Sequence, residues 1–293
     1  MQKLSVVYAT RNEEENIARS IASVKNIADE IIVVDENSSD RTREIAQKYG
    51  ASVSQEPHHD IFHITKQKAL EKAKNEWILQ LDADEVVTPE LSKEIVSTIH
   101  VLPAGRQGLP FTVHNKLFVR HQKLIEDRDG KIGKTTGEIV GYFIPRRNMF
   151  LGKPLVHAGA YPDGVIRLLK NGKVRFPQKS VHEQIELDGE VSWLSNSLDH
   201  YDSPNLSRYL FRMNRYTDLY ASEMRVQKIK RNILNFIQYC VAKPVYIFLN
   251  LYVRHLGFLD GVRGFLWSFF SSLHPLIAYF KYVTNKLEHA RDL

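Results

Sequence analysis

Trp77-Ile-Leu-Gln-Leu-Asp82-Ala-Asp84-Glu85 is the stretch on which the reading of this chain turns. Its first five residues are mostly apolar and predict a buried strand over 77–81. The strand ends in two aspartates spaced i, i+2, with a glutamate after them. Residues two apart in a strand point to the same side. At the strand's carboxyl end both carboxylates can therefore reach one hard divalent cation. Mg²⁺ and Mn²⁺ prefer oxygen ligands and keep part of their shell for water and substrate phosphates. Taken alone, the motif has a plainer reading, an acidic turn before the helix that starts at Pro89. The residues upstream favour the first.

Working outward, Leu4–Ala9 reads as a strand, and Asn12–Val24 has helical spacing with Ile17, Ile21 and Val24 on one face. Glu30–Asp35 is nearly all apolar, as a strand covered on both faces should be. Asp40–Tyr49 reads as a helix stopped by Gly50, Ala51–Gln55 as a third strand and Ile64–Ala73 as a helix. Pro89–Ile99 follows the fourth strand as another helix. This alternation predicts an α/β fold with a parallel, helix-covered sheet. Ligands of such sheets bind beyond the carboxyl ends of the strands. Thr10-Arg-Asn-Glu13, Asp35-Glu-Asn-Ser-Ser-Asp40 and Asp82-Ala-Asp-Glu85 all lie there. Leu102–Pro110 reads as a loop, Phe111–Tyr201 as mixed short strands, and the chain from Pro204 onward as helical.

The length of 293 residues leaves room for one large or two modest domains, and 43% hydrophobic with 25% charged residues indicates a folded globular protein. The single cysteine, Cys240, excludes an intrachain disulfide framework and a cysteine zinc site, and fits a reducing compartment. The apolar run at the amino terminus is too short for a signal peptide and reads as the first strand. The net charge of +6 is uneven: Pro204–Leu293 holds 13 Lys and Arg against 5 Asp and Glu, with 17 of the 30 aromatic residues. A basic, aromatic tail suits nucleic acid or an anionic membrane surface, and the long apolar runs between its charges favour the membrane. Phe265–Phe280 has no charged residue but falls short of the roughly 20 needed to span a bilayer, and is interrupted at His274-Pro275. Ile233–Val253 is interrupted at Lys243-Pro244. Both are expected to be interfacial or re-entrant helices. The alternative is a helical bundle against the N-terminal domain, or a homodimer interface.

With these segments in view, the chain resembles a known family. Val6-Val-Tyr-Ala-Thr-Arg-Asn-Glu-Glu14, Ile31-Ile-Val-Val-Asp-Glu-Asn-Ser-Ser-Asp-Arg-Thr42 and Leu81-Asp-Ala-Asp-Glu85 resemble family 2 glycosyltransferases of the GT-A fold. Tyr142-Phe-Ile-Pro-Arg-Arg-Asn148, Tyr161-Pro-Asp-Gly-Val-Ile-Arg-Leu168, Val181-His-Glu183 and the tail segment Gly257–Gly261 are similar to lipopolysaccharide-core-type members. The resemblance implies a Rossmann-like GT-A catalytic domain over 1–203, with a nucleotide-sugar-binding half (1–100) and an acceptor half (101–203). A helical, membrane-associating region over 204–293 would follow. It implies an inverting transfer of sugar from a nucleotide-sugar donor to a lipid-linked, lipopolysaccharide or other cell-envelope glycan. The implied cofactor is a divalent cation, Mg²⁺ or Mn²⁺, and the implied place is the cytoplasmic face of the membrane. A polyprenyl-phosphate sugar synthase shares this fold and donor. A non-catalytic nucleotide-sugar or glycan-binding scaffold is the reading outside enzymology.

The resemblance also assigns roles. Asp35 would accept hydrogen bonds from the donor's base or ribose, unless it only forms a turn. Thr10 and Glu13 would frame that pocket, although Glu13 equally suits the start of a helix. Lys66 would lie beside the nucleotide, though Gln67-Lys68 departs from the Asn that often follows it, and an ordinary helix lysine is the alternative. Asp82 would lie nearer the ribose and, with Asp84, form the metal pair, Asp84 being the ligand, while Glu85 assists from behind. Glu183 would be the base that takes the acceptor's proton, with Asp163 as rival. Arg212 and Arg215 share a helix face and would meet the diphosphate, although Arg212-Met-Asn-Arg215-Tyr216 departs from Q-x-x-R-W. Arg146, Arg147 and Arg167 are poised for anionic groups.

Overall fold

The computed structural model describes residues 2–59, 61–100, 115–177 and 185–289. The first half alternates as its apolar pattern requires. Strands β1 (Leu4–Thr10), β2 (Glu30–Asp35), β3 (Ser52–Gln55) and β4 (Trp77–Leu81) are separated by helices α1 (Ile17–Val24), α2 (Thr42–Lys48) and α3 (Phe62–Lys72). These four strands are parallel, in spatial order β3-β2-β1-β4, with Thr10 opposite Asp35 and Tyr8 opposite Leu81. Strand β1 is buried along its whole length, which explains why it reads as a mostly apolar run.

The remainder makes the sheet mixed. Strand β5 (Glu85–Val87) follows the aspartate pair and leads into α4 (Pro89–His100), and α5 spans Lys116–Asp129. Strands β6 (Ile139–Phe150), β7 (Asp163–Lys170), β8 (Glu190–Trp193) and β9 (Leu198–Ser203) extend the sheet beyond β4 in the order β7-β6-β9-β5, with β8 alongside β6. The β4/β7, β7/β6 and β9/β5 pairings are antiparallel. The result is a mixed sheet of Rossmann-like GT-A type. Its core gathers Leu4, Tyr8, Ile17, Ile21, Leu79, Leu81, Leu91 and Ile144, all fully buried.

Three elements differ from the sequence reading. Helix α1 starts at Ile17 rather than Asn12, because Asn12 takes a left-handed conformation (φ 56°) and turns its side chain to accept from the Ser39 amide. Helix α5 lies within the segment read as strands; Asn115 caps it, accepting from the Leu117 amide, and Gly130 ends it with φ 93°. Strand β5 converts Glu85 from the tail of a motif into a fully buried side chain. The Leu102–Pro110 loop lies outside the described residues.

The chain divides into two compact units, Met1–Arg147 with Pro162–His200, and Asn148–Tyr161 with Tyr201–Leu293. The sequence reading drew the division at 203. Asn148–Tyr161 groups with the C-terminal helices because Phe150, Leu155 and Ala160 pack around Tyr209, with Trp267 and Phe270 against them. In that second unit, α6 (Leu206–Val226) is followed by one helical run, α7 (Ile233–Arg254), and by α8 (Gly261–His289). Neither Pro244 nor Pro275 breaks its helix, contrary to the expected interruptions. Two π-helical turns, Gln238–Ala242 and Asn250–Arg254, let α7 run on past Lys243-Pro244.

Candidate active site

The strand ends of the first unit gather charge that would be costly to bury unpaired. Asp82 ends β4. Its Oδ1 meets Lys66 Nζ at 2.7 Å and its Oδ2 meets Arg167 Nη2 at 2.5 Å. Burial opposes ionisation of this carboxyl, but the Arg167 and Lys66 charges outweigh that and hold it well below the usual carboxylate range. Lys66 is held down from the ordinary lysine range by burial, against the pull of Asp82. Side-chain exposure separates the acids: Asp82 is 28% exposed and Glu85 is 0%.

Glu85 is the hub behind Asp82. It accepts from the Asp82 amide at 2.9 Å and from Arg167 Nη2 at 2.7 Å, and it pairs with Arg146 Nη1 at 3.3 Å. Arg146 also donates Nε and Nη2 to Asp163 Oδ2 at 3.0 and 2.7 Å. Arg167 Nη1 donates to Gln80 Oε1. Burial works against the charge on both guanidiniums, yet the surrounding carboxylates raise them further above the ordinary arginine range. The sequence reading set Arg146 and Arg167 toward outside anions; the structure engages both with Asp82, Glu85 and Asp163. Arg147 pairs with Asp199 at 2.7 Å.

Asp84 stands apart from this network. Its Oδ2 lies 3.4 Å from His200 Nε2 on β9. Burial pushes the Asp84 carboxyl up, and His200 more than offsets it, so the group lies below its usual range. The two side chains, 18% and 11% exposed, present one oxygen and one nitrogen donor side by side. This pair fits a divalent cation that takes its other ligands from water and phosphate. Asp82 fits less well, since both its oxygens already face cationic groups. Among the described residues no cluster of three or more His, Cys, Asp or Glu side chains is arranged to hold a metal.

Asp35 ends β2 and is fully buried. It accepts from Thr10 Oγ1 at 3.1 Å, the Ser38 amide at 2.8 Å and Ser38 Oγ at 2.5 Å. Its carboxylate thus ties the loop after β2 to the end of β1. The neighbouring Glu36, also buried, accepts from Thr65 Oγ1 and bonds His58 Nδ1 at 2.8 Å. Helix α3 carries consecutive contacts to two strand ends: Thr65 reaches Glu36 and Lys66 reaches Asp82. Glu13 accepts from Asn16 Nδ2 at 2.8 Å, and its amide donates to Thr42 Oγ1, at the entrance to α1.

Asp163 precedes Gly164 at the start of β7, where an added Cβ would lie 2.2 Å from the Trp193 ring, so only glycine fits there. Trp193 stacks between Phe118 and Phe143, with centroids 4.7 and 4.5 Å away. Glu183 and His182 lie outside the described residues. Arg212 and Arg215 belong to the second unit, where Arg212 pairs with Asp202. The structure thus brings Lys66, Asp82, Asp163 and Arg167 into one network with Glu85 and Arg146. It adds His200, which the sequence reading missed; the only signal was a histidine inside a short strand.

Residues 5–150 match glycosyl transferase family 2. An uncharacterized glycosyltransferase of Rickettsia typhi is 45% identical over 271 residues, covering 92% of this chain and 82% of its own. The chain belongs to glycosyl transferase family 2. It is a glycosyltransferase. The lipopolysaccharide core biosynthesis glycosyltransferase LpsC of Rhizobium meliloti is 27% identical over 283 residues, covering 92% of this chain and 90% of its own. Among solved structures, glucosyl-3-phosphoglycerate synthase from Mycobacterium tuberculosis, in complex with Mn²⁺, UDP and glucosyl-3-phosphoglycerate, matches 29% of this chain and 34% of its own, with 26% identity and a TM-score of 0.27. The likeness to LpsC extends over most of the chain, whereas the family match ends at residue 150.

Proposed function

We propose that this glycosyltransferase moves a sugar, with inversion and with a divalent cation, from a nucleotide-sugar donor to a lipid-linked or cell-envelope glycan at the cytoplasmic face of the membrane. The observation that carries the reading is the strand-end site: a partly exposed Asp82 held ionised by Lys66 and Arg167, beside the Asp84–His200 pair. Asp82 has accessible surface and unused lone pairs, so it can accept a ribose hydroxyl. Asp35 is fully buried and acts by positioning the Thr10 and Ser38 loops that frame the base. Asp84 and His200 would hold Mg²⁺ or Mn²⁺, which supplies neutralisation of the charge on a departing nucleoside diphosphate.

The chain's own residues do the rest. Glu85, Arg146 and Asp163 keep Asp82 and Arg167 in place. The acceptor oxygen attacks the anomeric carbon, the bond to the diphosphate oxygen breaks, and the acceptor's proton passes to a carboxylate. The Val181-His-Glu183 likeness assigns that carboxylate to Glu183 rather than to Asp163, whose Oδ2 already accepts two Arg146 bonds. The acceptor class rests on the likeness to LpsC and on the apolar surface of the second unit. Thermal-shift titration with nucleotide sugars tests the donor site. The expected result is a Mn²⁺-dependent stabilisation by nucleoside diphosphate that Asp84→Ala and His200→Ala both remove. A metal-dependent stabilisation that survives in both variants would overturn the cation site.

A further inference from the structure

Helix α7 places Ile233, Ile237, Val241, Val245, Leu249 and Val253 four residues apart, and all six are 48–68% exposed. In a regular α-helix a spacing of four drifts around the axis, because a turn takes about 3.6 residues. The two π-helical turns at Gln238–Ala242 and Asn250–Arg254 hold more residues per turn and counter that drift. They keep the six side chains on one side, and a row of separate apolar residues becomes one continuous face. Away from this face Tyr239 is buried among Ala221, Met224, Ala278, Tyr279 and Tyr282, while Leu234 and Tyr246 beside the face are exposed as well.

The face continues into the turn that follows. Leu256, Phe258, Leu259 and Val262 are all exposed, and Leu256 holds a left-handed conformation (φ 57°). Charge is arranged to suit an anionic surface. Between Ile233 and Phe280 the charged residues are Lys243, Arg254, Asp260 and Arg263. The one acid, Asp260, is turned inward: its Oδ2 accepts from the Val156 and His157 amides at 3.1 and 2.8 Å, and its Oδ1 meets His157 Nδ1 at 2.9 Å. Lys243 is turned to the packed side, with Nζ 3.7 Å from the Tyr239 ring centroid and 3.3 Å from Tyr220 Oη. Arg254 and Arg263 flank the apolar turn.

We infer that the α7 stripe and the Leu256–Val262 turn are a wedge that lies in the plane of an anionic phospholipid bilayer, apolar side chains among the acyl chains and Arg254 and Arg263 at the phosphates. The inference rests on the membrane reading of the C-terminal unit proposed above, and it names the surface and its orientation. Helix α7 is long and apolar enough to cross a membrane. Its packed side argues for lying flat: a crossing would drag Lys243 and the charged helix α6, with Arg208, Arg212, Arg215 and Arg225, into hydrocarbon. An in-plane helix buries only its exposed stripe. Within Phe265–Phe280, Trp267, Phe270, Ala278 and Tyr279 face the unit's interior, while Phe265, Phe269 and Phe280 are exposed.

The test places an environment-sensitive fluorophore on single cysteines in a full-length Cys240→Ser background, at Ile233, Val245, Val253, Leu259 and, on α6, Tyr216. Phosphatidylglycerol–phosphatidylcholine vesicles are added, with brominated lipids to report depth. The four wedge positions should shift to the blue and be quenched at one shallow depth, while Tyr216 should not respond. Val245→Glu with Leu249→Glu should raise the vesicle concentration for half-binding by about tenfold or more, as should pure phosphatidylcholine. A deep Val245 between shallow Ile233 and Val253 would mean a crossing helix and overturn the in-plane wedge. Vesicle binding with no shift at the wedge positions would overturn the wedge and leave the membrane reading standing. No vesicle binding by the labelled proteins or the parent would remove both.

Discussion

The two units depart from the ordinary partition of residues in opposite directions. In the first, Asp35, Glu36 and Glu85 are almost entirely buried, and each has several partners. In the second, a helix of 22 residues keeps its apolar stripe outside and has no acidic residue at all. Buried charge is tolerated only when paired, and large exposed apolar faces mark a surface with something to meet. The first departure lies at the proposed donor site. The second marks where the protein is expected to be placed.

The comparison breaks most sharply at the proposed base. Glu183→Gln keeps the side chain's size but cannot accept a proton, so transfer should fall by about 10²–10⁴-fold with donor affinity barely changed, read from initial rates and donor titration. Unchanged turnover would move the proton to Asp163 or to the substrate. Next in size is Asp82→Asn, which leaves buried Lys66 without its carboxylate and Arg167 with Glu85 alone. Loss of one partner of a buried pair should lower unfolding stability at neutral pH by about 3–5 kcal/mol, measured by urea denaturation.

The pH dependence of that loss follows from the direction of the Asp82 shift. Its carboxyl is depressed in the folded protein, so the folded state sheds this proton more readily than the unfolded chain. The stabilisation is complete above the ordinary aspartate range of about 3.9 and is lost as pH falls toward the lower folded value. The gap between parent and Asp82→Asn should therefore narrow through that acid window. A gap that stays constant through it would mean that the ion pairs contribute no stability.

Smaller effects sharpen the contrast within the second unit itself. Tyr279→Ala removes a buried ring that stacks on Tyr239 with centroids 5.5 Å apart, and should cost about 3 kcal/mol in the same denaturation assay. Ile237→Asn, on the exposed stripe of α7, should change stability by less than about 0.5 kcal/mol while weakening vesicle binding. Comparable losses of stability in the two variants would show that the stripe is packed in solution and not free.

Much of this was legible along the chain. The mostly apolar runs 4–10, 30–35 and 77–81 belong to strands covered on both faces, and the polar clusters that follow them had to lie at one edge of a parallel sheet. The Asp82-Ala-Asp84 spacing placed two carboxylates there because a strand repeats every two residues. Helix α5 was hidden because only Phe118 of its 14 residues is buried, leaving little apolar period to read. The π turns were hidden because a four-residue spacing looks imperfect for an α-helix.

What the sequence by itself determined, then, is which side chains gather at the strand ends, since that follows from local periodicity and chain direction. Only the tertiary structure decided what each of them meets. Arg146 and Arg167 come from 61 and 85 residues further along to reach Glu85 and Asp82, and His200 arrives beside Asp84 on the last strand of the sheet. No spacing rule links such positions, because antiparallel strands added after β4 set their register through pairing and not through sequence distance. Which acid stays partly exposed, as Asp82 does, and which is fully buried, as Asp35 is, depends on that packing.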